Sequence, residues 1–151
     1  MEVHILLVED NRRDAALVQE ALKESPVSCV VEHAIDGEAA LKVLYTAEVK
    51  PQLVLLDLNL PRKGGLEVLK EIKRDSTLRP IPVVVLTNSR SEDDVVLAYA
   101  SHCNAYVRKP VGYSDLVVLV ERLSHFWFGC ATLPKQPAPD LSIPPSSGSI
   151  E

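Results

Sequence analysis

The 151-residue chain has only three cysteines and no run of about 18 uninterrupted apolar residues. The cysteines, Cys29, Cys103 and Cys130, are odd in number and lack the spacing of metal-binding pairs. They therefore indicate reduced thiols in a cytoplasmic protein rather than a disulfide framework. The amino terminus also lacks a basic region followed by an apolar stretch. We expect neither a secretion signal nor a membrane-spanning segment.

Positive charge is scarce as well. The 16 Lys and Arg residues are outnumbered by 21 Asp and Glu residues, which gives a net charge of -5, and the basic residues are scattered along the chain. Such a surface has no general attraction for a phosphate backbone, so we do not expect nucleic-acid binding. The sequence contains neither GxGxxG nor GxxxxGK[ST], and the pair Gly64-Gly65 alone does not make a nucleotide-binding loop.

Short runs rich in Val, Ile and Leu alternate with segments of helical periodicity. These runs lie at about residues 3–8, 28–33, 52–57, 81–86 and 104–108. They are apolar at nearly every position, a pattern typical of strands that are covered on both faces of a parallel sheet. The sequence therefore predicts an α/β fold with a doubly wound, five-stranded parallel sheet built from five βα units. At 46% hydrophobic residues, the chain has enough apolar material to bury such a core.

Several helix starts can be read from the sequence. Asn11 with Asp14 resembles a capping box, Ser91 precedes three acidic residues, and Ser114 with Asp115 is expected to open the last helix. We assign residues 1–130 to the folded domain. Residues 131–151 are rich in proline and serine and are predicted to form a disordered tail.

The predicted strands end in a set of polar residues: Glu9, Asp10, Asp57, Thr87 and Lys109. Because the carboxyl ends of parallel strands form the ligand crevice, we expect these residues to converge. Carboxylates that lie close together repel each other unless a cation intervenes, and a hard divalent ion with oxygen ligands suits them. We predict a Mg²⁺ site formed by Glu9, Asp10, Asp57 and the backbone carbonyl of Asn59.

In such a site Asp57 could act as a nucleophile and accept a phosphoryl group. Lys109 would pair with the phosphoryl oxygens, and the Thr87 hydroxyl would donate a hydrogen bond. Each residue alone has a simpler interpretation: Asp57 as a turn residue, Thr87 as a capping hydroxyl, Lys109 as a surface lysine. Their joint occurrence at strand ends favours the phosphoacceptor hypothesis.

A series of motifs at these positions resembles the receiver domains of two-component response regulators: Leu7-Val8-Glu9-Asp10, Asp57 with Pro61 and Gly65, Leu86-Thr87, and Tyr106 to Pro110. The resemblance runs from residue 3 to about residue 128. It implies the flavodoxin-like (βα)5 receiver fold and Mg²⁺-dependent transfer of a phosphoryl group from a histidine kinase to Asp57. It also implies that Thr87 moves toward the phosphoryl group and that Tyr106 acts as a switch by turning inward. The surface of the fourth helix, fifth strand and fifth helix would then change.

Two further segments, Glu92-Asp93-Asp94-Val95 and Phe126-Trp127-Phe128 with Thr132-Leu133-Pro134, are similar to the single-domain regulators that partner cyanobacterial phytochromes. This narrower resemblance implies a phytochrome-type kinase as phosphodonor. Too little chain follows residue 130 for an output module, so the output is expected to be a downstream protein or a phosphotransfer protein. Asn88 stands where the family usually has a small residue, and the lifetime of the phosphoryl group is therefore left open.

Two alternatives differ in class from a phosphoacceptor. A pseudo-receiver that only binds partners would normally have lost some of the acids or the lysine, and all are present here. An Mg²⁺-dependent phosphohydrolase with an Asp nucleophile would need a second acid two residues after Asp57, where this chain has Asn59. We therefore expect a signalling protein rather than an enzyme.

The last helix contains more apolar residues than one packed stripe requires. Leu116, Val120, Leu123 and Trp127 form a stripe that can pack on the sheet. The residues that point elsewhere are Val117, Val118, Leu119, Phe126 and Phe128. In the preceding helix, Val96 and Leu97 likewise fall outside the stripe of Val95 and Tyr99. We predict a homodimer through the fourth helix, fifth strand and fifth helix, with the tail folding back over this surface as the alternative.

Overall fold

Strands and helices alternate along the chain. The structure, a computed structural model, describes residues 2–134. The strands are β1 (Val3–Val8), β2 (Cys29–Ala34), β3 (Leu53–Leu56), β4 (Val83–Thr87) and β5 (Ala105–Arg108). The helices are α1 (Arg12–Lys23), α2 (Gly37–Thr46), α3 (Gly65–Arg74), α4 (Glu92–Ala100) and α5 (Tyr113–Ser124), and α5 continues into a π-helix, His125–Cys130. The predicted tail lies outside the described residues from position 135 onward.

The five strands form one parallel sheet in the order β2-β1-β3-β4-β5. The predicted fold class is therefore confirmed. Every residue of β3 and β4 is buried, which explains why their sequences are apolar at consecutive positions. The chain order reverses between β1 and β3, and at such a switch point the carboxyl ends of the strands border a crevice.

Helices cover both faces of the sheet. On one face, α2, α3 and α4 pack over a core that contains Leu6, Val54 and Val85. On the other face, α1 and α5 pack over a core that contains Leu55 and Val84. Residues that alternate along one strand thus enter different cores, as the pleat of a strand requires. Packing on both faces of the sheet therefore holds the strands, and with them their carboxyl ends, in fixed positions.

The helix starts agree with the sequence in part. Asn11 caps α1 and Ser91 caps α4, each by accepting a hydrogen bond from a backbone N–H three residues on, at 2.9 and 3.3 Å. The predicted start of the last helix at Ser114 is wrong, because α5 begins at Tyr113 with Gly112 as its cap residue. The Tyr113 hydroxyl accepts a hydrogen bond from Arg13 Nη1 at 2.9 Å, and this contact between helices ties the start of α5 to α1.

The chain remains in contact with the domain after the π-helix. Leu133 packs against the core on the α1 and α5 face, and the Pro134 carbonyl accepts a hydrogen bond from Gln52 Nε2 at 3.3 Å. A domain boundary at residue 130 stays a prediction. No helix among residues 2–134 is long and apolar enough to cross a membrane.

The apolar surface near β5 differs in detail from the prediction. The stripe of Leu116, Val120, Leu123 and Trp127 packs on the core as expected. Three residues expected to point elsewhere also pack there: Val117, Leu119 and Phe128. Val118 and Phe126 remain exposed. On α4, Tyr99 was expected to share a packed stripe with Val95 but is 50% exposed. Its hydroxyl accepts a hydrogen bond from Tyr106 N of β5 at 3.2 Å.

Candidate functional site

The ends of four strands bring the predicted polar residues together. The backbone ladder continues past the strands, since Asp57 N donates to Val8 O at 3.0 Å and Lys109 N donates to Thr87 O at 2.8 Å. These bonds hold the strand ends in register. Glu9, Asp57, Thr87 and Lys109 are all buried, at 2, 5, 0 and 2% exposure. Asp10, the next residue after Glu9, is exposed.

Lys109 is the centre of the buried cluster. Its Nζ lies 2.6 Å from Glu9 Oε1, 2.9 Å from Asp14 Oδ2 and 3.2 Å from Asp57 Oδ2. The ammonium group has three hydrogen atoms and therefore matches these three carboxylates in number. The interpretation of Lys109 as a surface lysine is excluded by this burial and these contacts.

Asp14 was not predicted as a site residue. Its position three residues after Asn11 indicated only a partner in the helix cap. It lies in the first turn of α1 on the same face as Val18 and Leu22, and all three are buried. A carboxylate on the apolar stripe of a helix needs a partner, because burying an unpaired charge costs several kcal/mol. That cost is comparable to the whole free energy of unfolding of a small domain. An aspartate on the apolar stripe of α1 was therefore the feature of the sequence that could have indicated a buried partner for Asp14.

Burial and charge shift two of the pKa values in the cluster. Burial raises the pKa of the Glu9 carboxyl to about 7, the charge of Asp57 adds to the rise, and the hydrogen bond from Lys109 opposes it. For Lys109, burial acts to lower the pKa, but the hydrogen bonds to Glu9 and Asp14 and the charge of Asp57 outweigh it. The pKa of Lys109 is therefore raised, and the ammonium form is retained.

The acidic groups can also hold a metal ion. One carboxylate oxygen from each of Glu9, Asp10 and Asp57 lies within 4.8 Å of the others. Oxygen ligands at this spacing suit a hard divalent cation, which would also neutralise the charges that Lys109 alone leaves in excess. The fourth predicted ligand, the Asn59 carbonyl, stays a prediction. The Asn59 backbone N–H donates to Asp57 Oδ1 at 3.0 Å, which places this peptide beside the carboxylate.

The loop after Asp57 depends on a glycine. A Cβ added at Gly65 would lie 2.2 Å from the Asp57 carbonyl oxygen and 2.6 Å from Leu58 Cα. The first turn of α3 can approach β3 this closely because position 65 has no side chain. The Gly65 N–H also donates to Leu58 O at 3.1 Å. The missing side chain at Gly65 and this hydrogen bond therefore keep the backbone that follows Asp57 close to the start of α3.

Thr87 and Tyr106 lie on neighbouring strands. The Thr87 hydroxyl accepts a hydrogen bond from Ser89 N at 3.3 Å. Tyr106 packs against the core beneath α4, and its hydroxyl is buried without a hydrogen-bond partner among residues 2–134. A buried, unpaired hydroxyl costs about 1–3 kcal/mol, so this position of the ring has a polar cost that a solvent-facing position would not have. The role of Tyr106 as a switch stays a prediction.

Comparisons with known proteins give consistent results. Residues 5–121 match the family model described as response regulator receiver domain. The chain is 47% identical over 135 residues to the response regulator Rcp1 of Synechocystis sp., covering 86% of this chain and 92% of Rcp1. Its fold superposes with a TM-score of 0.86 on the phosphorylated cyanobacterial phytochrome response regulator RcpA, at 46% identity, covering 89% of this chain and 100% of RcpA. The Mn²⁺-bound form of Rcp1 gives a TM-score of 0.84 at 46% identity, covering 87% of this chain and 99% of that structure.

Proposed function

The chain belongs to the response regulator receiver family, and from this premise we propose that Asp57 accepts a phosphoryl group from a histidine kinase. The observation that carries the proposal is the buried contact of 3.2 Å between Lys109 Nζ and Asp57 Oδ2, at the point where four strand ends meet. The carboxylate of Asp57 provides the nucleophile, and the ammonium group of Lys109 provides a partner for the charge of the transferred phosphoryl group. The signal would then leave through changed protein contacts.

The chemistry assigns a step to each residue. An Asp57 oxygen forms a bond to phosphorus while the bond from phosphorus to the donor histidine nitrogen breaks, and that nitrogen keeps the bonding electron pair. The Lys109 ammonium pairs with a phosphoryl oxygen, and the Thr87 hydroxyl donates to another. The Thr87 hydroxyl accepts a hydrogen bond from Ser89 N, which leaves its own hydrogen free to be donated. Stabilisation of this kind supplies most of the catalysis in phosphoryl transfer.

We assign the metal site to Mg²⁺, held by Glu9, Asp10, Asp57 and the Asn59 carbonyl. When bound, Mg²⁺ would neutralise charge on the transferring phosphoryl group. The carboxylate cluster and the Mn²⁺-bound form of Rcp1, a similar protein, support this assignment. The acidic cluster itself is compatible with either ion, and the preference for Mg²⁺ is part of the proposal.

A phytochrome-type histidine kinase is the proposed phosphodonor. This proposal is supported by the similarity to RcpA, which is described as a cyanobacterial phytochrome response regulator. The receiving partner would be a downstream protein or a phosphotransfer protein. We place these exchanges in the cytoplasm, since the three cysteines are free thiols.

Incubation with acetyl phosphate and Mg²⁺ tests the function directly. We expect one phosphoryl group per chain by intact-mass spectrometry and a change in Trp127 fluorescence with beryllofluoride, because Trp127 packs beside α5 on the core. Neither addition should act in the presence of EDTA. Absence of both responses would favour a phosphorylation-independent pseudo-receiver, and continuous turnover of a phosphoester would favour a phosphohydrolase.

We also propose a homodimer through α4, β5 and α5. Among the described residues, the apolar side chains exposed on these helices include Val96 at 65%, Leu97 at 45% and Val118 at 43%. The expected result of light scattering with size-exclusion chromatography is a dimer that Val96→Glu weakens. Val49→Glu, a change at a 50% exposed site before β3, should leave the dimer intact. A strict monomer at high concentration, with and without beryllofluoride, would exclude this interface.

A further inference from the structure

We propose that Asp14 is a positioning residue for Lys109, whose ammonium group it holds in place for the phosphoryl group. The inference rests on the proposed phosphoacceptor function, and it assigns a role to a side chain outside the predicted metal and phosphoacceptor set. Three carboxylates surround Lys109 Nζ at 2.6 to 3.2 Å.

The three carboxylates differ in what else they can bind. Glu9 and Asp57 belong to the group whose oxygens converge for a metal ion, and Asp14 does not. When Glu9 and Asp57 share their charge with a divalent cation and a phosphoryl group, their hold on Lys109 weakens. Asp14 Oδ2, at 2.9 Å from Lys109 Nζ, is then the partner that stays unchanged.

Asp14 is well suited to be a fixed anchor. Its backbone N–H donates to Asn11 Oδ1 at 2.9 Å. Asp14 lies in the first turn of α1 and is only 8% exposed. The amino terminus of a helix favours a negative charge, so the carboxylate is stabilised there. The neighbouring Ala15 and Val18 are fully packed, which limits movement of this turn.

An open space lies beside the ammonium group. A cavity of about 210 Å³ is lined by Asn11, Asp14, Asn88, Lys109 and Tyr113, among others. Asn11 and Asn88 both line this cavity, and each carries an amide oxygen that can accept a hydrogen bond. Without the contact to Asp14, the flexible Lys109 side chain could move into this cavity. The phosphoryl group would then lose part of its counter-charge.

The test compares Asp14→Asn with the wild-type protein. We expect its affinity for beryllofluoride, measured by Trp127 fluorescence in saturating Mg²⁺, to fall about tenfold, which corresponds to about 1.4 kcal/mol. Mg²⁺ affinity should change less than about threefold, because Asp14 is not a metal ligand in this proposal. Asp14→Glu should restore part of the beryllofluoride affinity. Glu20→Gln removes a charge from an exposed site on the same helix and should change neither affinity.

A second measurement follows the amine without any phosphoryl analogue. Acetylation of Lys109 by an N-hydroxysuccinimide ester should be several-fold faster in Asp14→Asn than in wild type, because the released side chain reaches the cavity, where its deprotonated amine can attack the ester and displace N-hydroxysuccinimide. Equal acetylation rates and equal or higher beryllofluoride affinity would overturn the role of Asp14 while leaving the proposed function intact. If wild type fails to bind beryllofluoride, the proposed function fails, and the acetylation result alone then decides whether Asp14 holds Lys109.

Discussion

Replacement of Asp57 with asparagine is expected to abolish phosphorylation by acetyl phosphate and to leave the fold intact. An amide has no anionic oxygen to attack phosphorus, so the phosphorylated mass should be absent. The two side chains are nearly isosteric, and the amide oxygen can still accept a hydrogen bond from Lys109. The change also removes one of the charges that raise the pKa of Glu9. Thermal unfolding should therefore show equal or slightly higher stability in the absence of metal.

A second acid serves as a control for this experiment. Asp93 is exposed in the first turn of α4, and Asp93→Asn should be phosphorylated to the same extent as wild type. Intact mass and peptide mapping after acetyl phosphate treatment give the stoichiometry and the site. Full phosphorylation of Asp57→Asn at another residue would refute the assignment of the phosphoacceptor.

The strand ends could be predicted because their causes are local. The strands before Asp57 and Thr87 are runs of consecutive apolar residues, and the polar residue that ends each run marks where the sheet stops. Parallel order then brings Glu9, Asp57, Thr87 and Lys109 to one edge without further information. The fold class and the main members of the candidate site therefore follow from short stretches of sequence.

Asp14 and the end of α5 could not be predicted in the same way. The role of Asp14 depends on the distance between α1 and the end of β5. Asp14 and Lys109 lie 95 positions apart in the sequence, so tertiary packing rather than local sequence brings them together. The π-helix at His125–Cys130 likewise lets Phe128 join Trp127 on the core, where ordinary helical periodicity would have directed it elsewhere. Periodicity assumes one helical geometry, and it fails where that geometry changes.

Replacement of Lys109 with methionine is expected to destabilise the metal-free protein by about 3 kcal/mol at pH 8. Methionine fills much of the same volume, but it leaves the carboxylates of Glu9, Asp14 and Asp57 buried without their shared cation. Lys70→Met, at an exposed site of α3, should change the free energy of unfolding by no more than about 0.5 kcal/mol. Urea denaturation in EDTA measures both. Added Mg²⁺ should restore part of the stability of Lys109→Met, because the cation replaces some of the missing positive charge.

The same variant should show a distinctive pH dependence. In the folded wild type, burial raises the pKa of Glu9 from 4.5 to about 7, so the folded protein holds this proton more tightly than the unfolded chain does. The stabilisation from this proton is complete below pH 4.5 and is lost as the pH rises toward about 7. Lys109 lowers the pKa of Glu9, so its removal extends the loss to higher pH. The difference in stability between wild type and Lys109→Met should therefore be larger at pH 8 than at pH 6. A pH-independent difference would mean that Lys109 contributes packing rather than charge, and the electrostatic account of the site would be wrong.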